Sequence, residues 1–515
     1  MPLLKKLQFR HSWKDSLIAA FDRKVVIMLF LGFSAGLPLL LIFSSLSLWL
    51  REAGVDRSVV TYFSWAALGY SFKFVWAPLV DRLPIPVLTR YLGLRRSWLL
   101  LAQLGIVLAI TLMAMTNPAD SIDNLTMVAV GAVLLGFSSA TQDIVNDAYR
   151  IDVAEVDLQA MMSASYIAGY RVGMIVAGAG ALYLAQFLGS TLDAYSYVAW
   201  KTTYHGMSLF MLVGIITTLV IHEPKLLERE DDFSTADYGR LVIVFLLAVC
   251  AFVSCFFYSS TIGNALKNSF NNAYLMNFLI EFSRLLLAVG AALITAYVAV
   301  SLGAVKKDVV SFSYISPIKS FFENYGAATA LLLLCLVGLY RISDIVLGVI
   351  SNVFYQDMGF SKDEIASAVK VFGLVMAIAG GFLGGIMSMR YGVMRMLFVG
   401  AVLVVLTNLL FISLLYSGHN LWVLYTVVAA DNLVAGLASA AFIAFLSGLV
   451  DVRFTAMQYA IFSSLMTLIP KVLGGYSGSI VDSVGYQSFF LIAALLGVPV
   501  LLLIYFANKS LRINE

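Results

Sequence analysis

Residues 125–149 read LTMVAVGAVLLGFSSATQDIVNDAY, an apolar helix of membrane length whose second half fills with polar side chains. A carboxylate in hydrocarbon is costly, and one that appears there faces a bundle interior or a water-filled path. Asp143 and Asp147 stand four residues apart and so share one helix face. Gln142 and Asn146 repeat that spacing beside them, which makes a polar stripe and not a stray charge. Such a helix meets a polar solute, or a proton, inside a membrane.

The composition around it agrees. With 61% hydrophobic and 12% charged residues over 515 positions, a water-soluble globule is excluded and an all-α integral membrane protein is expected. Residues 1–24 are basic, and the apolar run 25–50 is longer than a signal-peptide core and lacks a small-residue cleavage pattern, so it should remain as the first span. Cys250, Cys255 and Cys335 lie in apolar segments and support neither disulfides nor a zinc site. His11, His205, His222 and His419 lack ligand spacing, so no metal and no cofactor is expected. There is no GxxxxGK phosphate loop and no nucleic-acid partner is expected. A membrane enzyme would need a nucleophile, an acid–base dyad or a metal set near one face, and none appears.

A hydrocarbon core of ~30 Å takes roughly 20 helical residues. Spans of that length fall at 25–50, 58–80, 97–116, 125–149, 158–188, 198–221, 241–260, 273–303, 326–356, 362–388, 394–417, 420–450, 453–481 and 487–507, about fourteen in all. The most polar stretch, 223–240, is a natural hinge. It divides the chain into a six-helix half at 1–222, a segment 223–325 with two extra helices, and a second six-helix half at 326–515. Most of the 33 Lys and Arg residues fall in loops on the side of the N-terminus, so both termini are expected to be cytoplasmic.

Without the pair at 241–303, the charges inside the remaining spans fall on helices 2, 4, 5, 7, 8, 10 and 11 and spare 3, 6, 9 and 12. This resembles a major facilitator bundle, in which two six-helix halves enclose a site at the midplane and those four helices face lipid. Between helices 2 and 3, Asp81-Arg82 and then Arg95-Arg96 resemble the facilitator loop motif, repeated more loosely in the second half at Gly384-Gly385 and Arg390. The motif implies that Asp81, Arg82, Arg95, Arg96 and Arg390 act in gating.

A closer resemblance rests on Gly32-Phe33-Ser34-Ala35-Gly36-Leu37-Pro38, Phe72-Lys73-Phe74-Val75-Trp76-Ala77-Pro78, Ser139-Ala140-Thr141-Gln142-Asp143-Ile144 with Asp147-Ala148-Tyr149, and Gly169-Tyr170-Arg171-Val172-Gly173. These strings look like the AmpG muropeptide permease family. The resemblance implies proton-coupled import of anhydromuropeptides by alternating access across a Gram-negative inner membrane, for cell-wall recycling. The partners it implies are a small anionic glycopeptide, protons and the lipid bilayer, with the chain a monomer. It places Ala140, Gln142, Tyr170 and Asn432 at the cavity and gives Gly36 a conformational role. Asp431 stands where Glu is expected and Lys471 where Arg is expected, and nothing transfers to 223–325.

The residues themselves point the same way. Lys73, Arg171, Arg341, Lys370 and Lys471 outnumber Asp143, Asp344 and Asp431 in the bundle interior, which favours an anion, and Arg offers bidentate recognition of carboxylate. Asp147 adds to the cavity if it points inward. Asp143 and Asp344, with Asp431 behind them, are the candidates for proton coupling, since a buried carboxylate can gain or lose a proton as its partner changes. Purely structural pairing is the alternative for Arg341 with Asp344 and for Glu281 with Arg284, each at i and i+3. Lys370 lies near Ser361-Lys362-Asp363-Glu364, which reads as a capping box. A facilitator carrier for another organic anion, such as acetyl-CoA, is the second functional reading.

Overall fold

The computed structural model describes residues 12–55, 63, 70, 72–191, 194–224, 233–269, 274–474 and 477–513. Every regular element among them is helical, and twelve helices are long and apolar enough to cross a membrane. The first half contains α1 (Arg23–Ile42, resuming as Ser44–Glu52), the short α2 (Ala77–Arg82), α3 (Leu94–Ala114), α4 (Ile122–Val153), α5 (Val156–Ile175, running on through a π-turn at Val176–Gly180) and α6 (Tyr197–Phe210). Then come α7 (Thr235–Ser269) and α8 (Tyr274–Ser301). The second half contains α9 (Ala327–Leu339), α10 (Ile342–Asp357), α11 (Gly373–Tyr391), α12 (Val393–Ser417), α13 (Leu421–Leu449), α14 (Thr455–Gly474) and α15 (Ser477–Ile513). Of the fourteen spans read from the sequence, 58–80 falls largely outside the described residues, and 453–481 is met by the shorter α14, which contains Pro470.

The chain separates into two compact units. One comprises Met1–Ala77, Ile85–Leu227 and Phe321–Glu515 and therefore holds both six-helix halves; the other comprises Glu228–Ser320 with Pro78–Pro84. In the larger unit α1 packs on α5, α11 on α13, and the halves meet through α5 on α11 and α13 and through α4 on α14.

Glycine explains the tightest of these contacts. A Cβ on Gly36 would lie 2.0 Å from the Tyr170 carbonyl oxygen, and one on Gly169 would lie 1.9 Å from that of Leu29. With Gly32 and Gly173 facing the same seam, both helices carry small residues four apart and their backbones touch, the usual way for helices to associate where lipid supplies no hydrophobic drive. α11 and α13 repeat the device, with a Cβ on Gly380 1.9 Å from the Leu433 oxygen and one on Gly436 2.1 Å from that of Ala377. Aromatic clusters fill each half: Trp49, Trp200 and Tyr204 in the first, and Phe354, Phe411 and Phe490 in the second. The expected capping box forms, with Ser361 N donating to Glu364 Oε2 at 2.7 Å and Glu364 N donating to Ser361 Oγ at 3.2 Å.

In the smaller unit α7 packs on α8, and both keep largely exposed apolar surfaces. Arg284 of α8 is buried, donating to the Phe256 carbonyl at 2.7 Å and to Ser259 Oγ at 3.2 Å with its guanidinium 4.6 Å from the Phe256 ring. The Glu281 side chain, expected to neutralise it, lies outside the described residues. Lys306 and Asp237 pair at 3.0 Å.

Adding one methyl at the helix seam should be costly where the backbones touch and harmless where they do not. Gly36→Ala is expected to lower stability by on the order of 1–3 kcal/mol, seen as a lower unfolding temperature in detergent. Gly290→Ala in α8, where no atom lies within 4 Å of the new carbon, should leave that temperature unchanged or raise it.

Candidate functional site

The polar stripe of α4 faces both α5 and the chain around Lys73. Asp143 accepts a hydrogen bond from the Tyr166 hydroxyl of α5 at 3.0 Å. One turn toward the N-terminus, Ser139 accepts from the Tyr70 hydroxyl at 2.6 Å, and Thr141 accepts from Trp76 Nε1 at 3.1 Å. One turn the other way, Asp147 lies 3.7 Å from Lys73 Nζ and 3.4 Å from Arg150 Nη2. Lys73 is thus the ion-pair partner of Asp147 and stands within electrostatic reach of Asp143. The glycine seam fixes this cluster, because Tyr166 and Tyr170 sit on the α5 turns that touch α1.

A second charged cluster is built by both halves. Arg171 lies five residues beyond Tyr166, or ~7.5 Å along α5. It is exposed and lies within electrostatic reach of Arg341 and Asp344 from the other half. Arg341 caps α10 and pairs with Asp344 at 2.8 Å, as their spacing suggested. Asp431 of α13 lies within reach of Asp344 and of Tyr355. Arg171 and Arg341 both fall near the middle of their spans, Val156–Phe187 and Ala327–Asp357.

Other residues singled out in the sequence lie elsewhere. Gln142 is fully buried and donates to Ser34 Oγ of α1 at 2.9 Å, whereas Asp143 turns to α5. Ala140 is fully buried. Asn432 donates to the Val428 carbonyl at 3.0 Å and packs over Gly373 of α11. Lys370 falls in a π-helical turn at Ala366–Phe372 and Lys471 follows Pro470 in α14, with both side chains outside the described residues.

The loop-motif residues gather at helix ends. Arg95 is fully buried and pairs with Asp152 at 2.8 Å, while Asp152 also accepts from Thr455 Oγ1, the first residue of α14, at 3.1 Å. Glu223 accepts from the backbone N–H groups of Arg95 and Arg96 at 2.8 and 3.1 Å, placing a negative charge on the α3 N-terminus. Burial pushes the Glu223 carboxyl up, and those two N–H groups pull it back. Gly93, at φ +86°, has no room for a Cβ, which would lie 2.3 Å from Glu223 Cγ. Arg96 donates to the Thr218 and Leu219 carbonyls at 3.0 and 2.6 Å, satisfying carbonyls at the end of the span Tyr197–Val220. Asp81 and Arg82 are buried, and Arg82 lies 4.8 Å from the Phe312 ring within the smaller unit. Arg390 lies beside the Tyr391 ring at 5.9 Å.

The sequence reading passed over Arg150, Asp152, Gln159 and Glu223. The first two lie just past the apolar end assigned to the helix at residue 149, yet Arg150 is i+3 from Asp147, and that spacing was the available signal. No group of His, Cys, Asp and Glu that could hold a metal ion occurs among the described residues.

Comparison with known proteins agrees over nearly the whole chain. A sequence profile described as Major Facilitator Superfamily matches residues 26–318 and 329–513. "Putative transporter AmpG 4" of Rickettsia felis is 29% identical over 492 residues, covering 96% of this chain and 98% of that protein. The "Anhydromuropeptide permease" of Escherichia coli K12 is 28% identical over 493 residues, covering 95% of this chain and 81% of that protein. The crystal structure of the human organic anion transporter MFSD10 (TETRAN) superposes with a TM-score of 0.52 at 14% identity, covering 94% of this chain and 99% of that one. The proton:xylose symporter XylE gives 0.55 at 10% identity, covering 96% of each chain. At such identities the two structures speak for the fold alone.

Breaking a buried ion pair strands the remaining charge. Asp152→Asn should therefore destabilise the protein by roughly 3–5 kcal/mol, read as a fall in unfolding temperature of the purified protein, because it removes the carboxylate 2.8 Å from the fully buried Arg95.

Proposed function

The chain belongs to the major facilitator superfamily, and from that membership we propose that it carries anhydromuropeptides from periplasm to cytoplasm, driven by protons. It is a multi-pass membrane transporter of a small molecule, with relatives named AmpG over most of its length, and not an enzyme.

The observation that carries the choice of cargo is the approach of Arg171 and Arg341 from opposite halves, near the middle of their spans, in a chain that aligns with an anhydromuropeptide permease over 95% of its residues. Two guanidinium groups within electrostatic reach of each other suit a solute rich in carboxylates. Arg341 already holds Asp344, so an arriving carboxylate competes with that residue for the guanidinium and leaves Asp344 ready to take a proton. Asp143, held by Tyr166, and Asp431 complete the set assigned to proton coupling, while Lys73, Asp147 and Tyr170 line the approach.

In this reading residues 1–222 and 326–515 are the two rocking halves, and 223–325 is an insertion that adds two helices. The protein works as a monomer in the inner membrane of a Gram-negative cell, with both termini cytoplasmic. Gly36 keeps α1 on α5, and Asp81, Arg82, Arg95, Arg96 and Arg390 bias the conformational equilibrium.

The test is uptake of labelled N-acetylglucosaminyl-1,6-anhydro-N-acetylmuramyl peptide by cells lacking their own permease, with and without this chain. Uptake should require the chain and a protonophore should stop accumulation; equal uptake with the protein present in the membrane would leave another organic anion as the cargo. Asp143→Asn should abolish accumulation in a protein that still folds. Arg171→Gln should weaken uptake about tenfold or more, most for the peptides with most carboxylates, since a charge-assisted hydrogen bond contributes about 1.5–3 kcal/mol.

A further inference from the structure

Arg150 is a buried charge at the contact between the two halves. It is 1% exposed. Its Nη1 donates to Gln159 Oε1 of its own half at 2.6 Å and to Ser447 Oγ of α13 at 2.8 Å, and its guanidinium lies 5.2 Å from the ring of Tyr459 on α14. Ser447 and Tyr459 are polar but uncharged, so they hold Arg150 without neutralising it. The carboxylate that balances it is Asp147, one helical turn back on α4. Asp147 is not wholly committed to that task, because Lys73 reaches its other oxygen at 3.7 Å. Among the described residues, the other ionisable neighbours are Asp143 on the same helix and the hydroxyls of Tyr166 and Tyr459.

A buried guanidinium is tolerated only while a counter-charge stays beside it. We propose that Asp147, shared between Lys73 and Arg150, controls the closure of the bundle at its Arg150 end: its charge keeps Arg150 seated between the halves, and withdrawing that charge releases them. An anionic solute that engages Lys73 leaves Asp147 to Arg150 and holds this end shut. Removing the Asp147 charge strands Arg150, and the halves part to let water reach it. The carboxylate thus makes opening depend on more than the arrival of solute, and it does so through residues distinct from the Arg171 and Arg341 pair. Asp147 acts here as a positioning residue for Arg150.

Ala160 reports this closure independently of any cargo. It lies on α5, is fully buried, and packs into the apolar cluster of the second half, so a cysteine there is reached only when the halves separate. The experiment uses the full chain with Cys250, Cys255 and Cys335 replaced by alanine and Ala160→Cys added, purified in detergent and labelled with a maleimide. Asp147→Asn should speed labelling at least tenfold, and Lys73→Met, which leaves Asp147 wholly to Arg150, should slow it at least threefold. In an Arg150→Met background neither substitution should change the rate more than twofold, because the charge seated between the halves is gone and the Lys73–Asp147 pair joins only elements of the first half. Arg150→Lys should restore the effect of Asp147→Asn. Acceleration by Asp147→Asn of equal size with and without Arg150 would overturn the proposal, as would no acceleration at all. If Asp147→Asn aggregates, the Lys73→Met arm decides, and unchanged or faster labelling there overturns it.

Discussion

The absence of a Cβ at Gly36 and Gly169 is the constraint on which the first half depends. With the Tyr170 carbonyl oxygen only 2.0 Å from where that carbon would be, α1 and α5 meet backbone to backbone, and no larger residue allows it. In a lipid environment apolar surface gains little by leaving the solvent, so helices associate through packing and polar contacts. The contact fixes the rotation of α5 as well as its position. Tyr166 is thereby aimed at Asp143, and Arg171, just over a turn further on, looks toward the other half.

Once the helices are placed, the pairing of buried charge governs the rest. Arg95 takes Asp152, Arg341 takes Asp344, and Asp147 serves two cations at once. Each pairing links elements distant in sequence or sits where a helix begins or ends. That is how a membrane bundle keeps ionisable groups without leaving them bare in hydrocarbon. Pairs that are fully enclosed act as fastenings. Arg341 and Asp344 stay partly accessible, at 31% and 23% of their side-chain surface.

The smaller unit follows simpler rules. α7 and α8 pack on each other, expose apolar surface along most of their length, and bury one cation by giving it a backbone carbonyl, a serine hydroxyl and an aromatic face. These contacts hold a guanidinium between two packed helices.

The sequence by itself determined the membrane-spanning helical class, the positions of most spans and the capping box at Ser361, because hydropathy over 20 residues and short-range hydrogen bonding are local properties. It also determined the Arg341 and Asp344 pair, whose spacing on one turn leaves little choice. Tertiary structure decided which groups meet across helices. It gave Lys73 to Asp147, turned Gln142 toward Ser34, and brought Arg150 to Ser447 and Tyr459. A polar stripe names the residues that need partners, but the partner depends on the rotation of each helix about its axis. That rotation is set by which glycines touch which backbone, a relation between segments far apart in the chain, and so it becomes visible only when the helices are packed together.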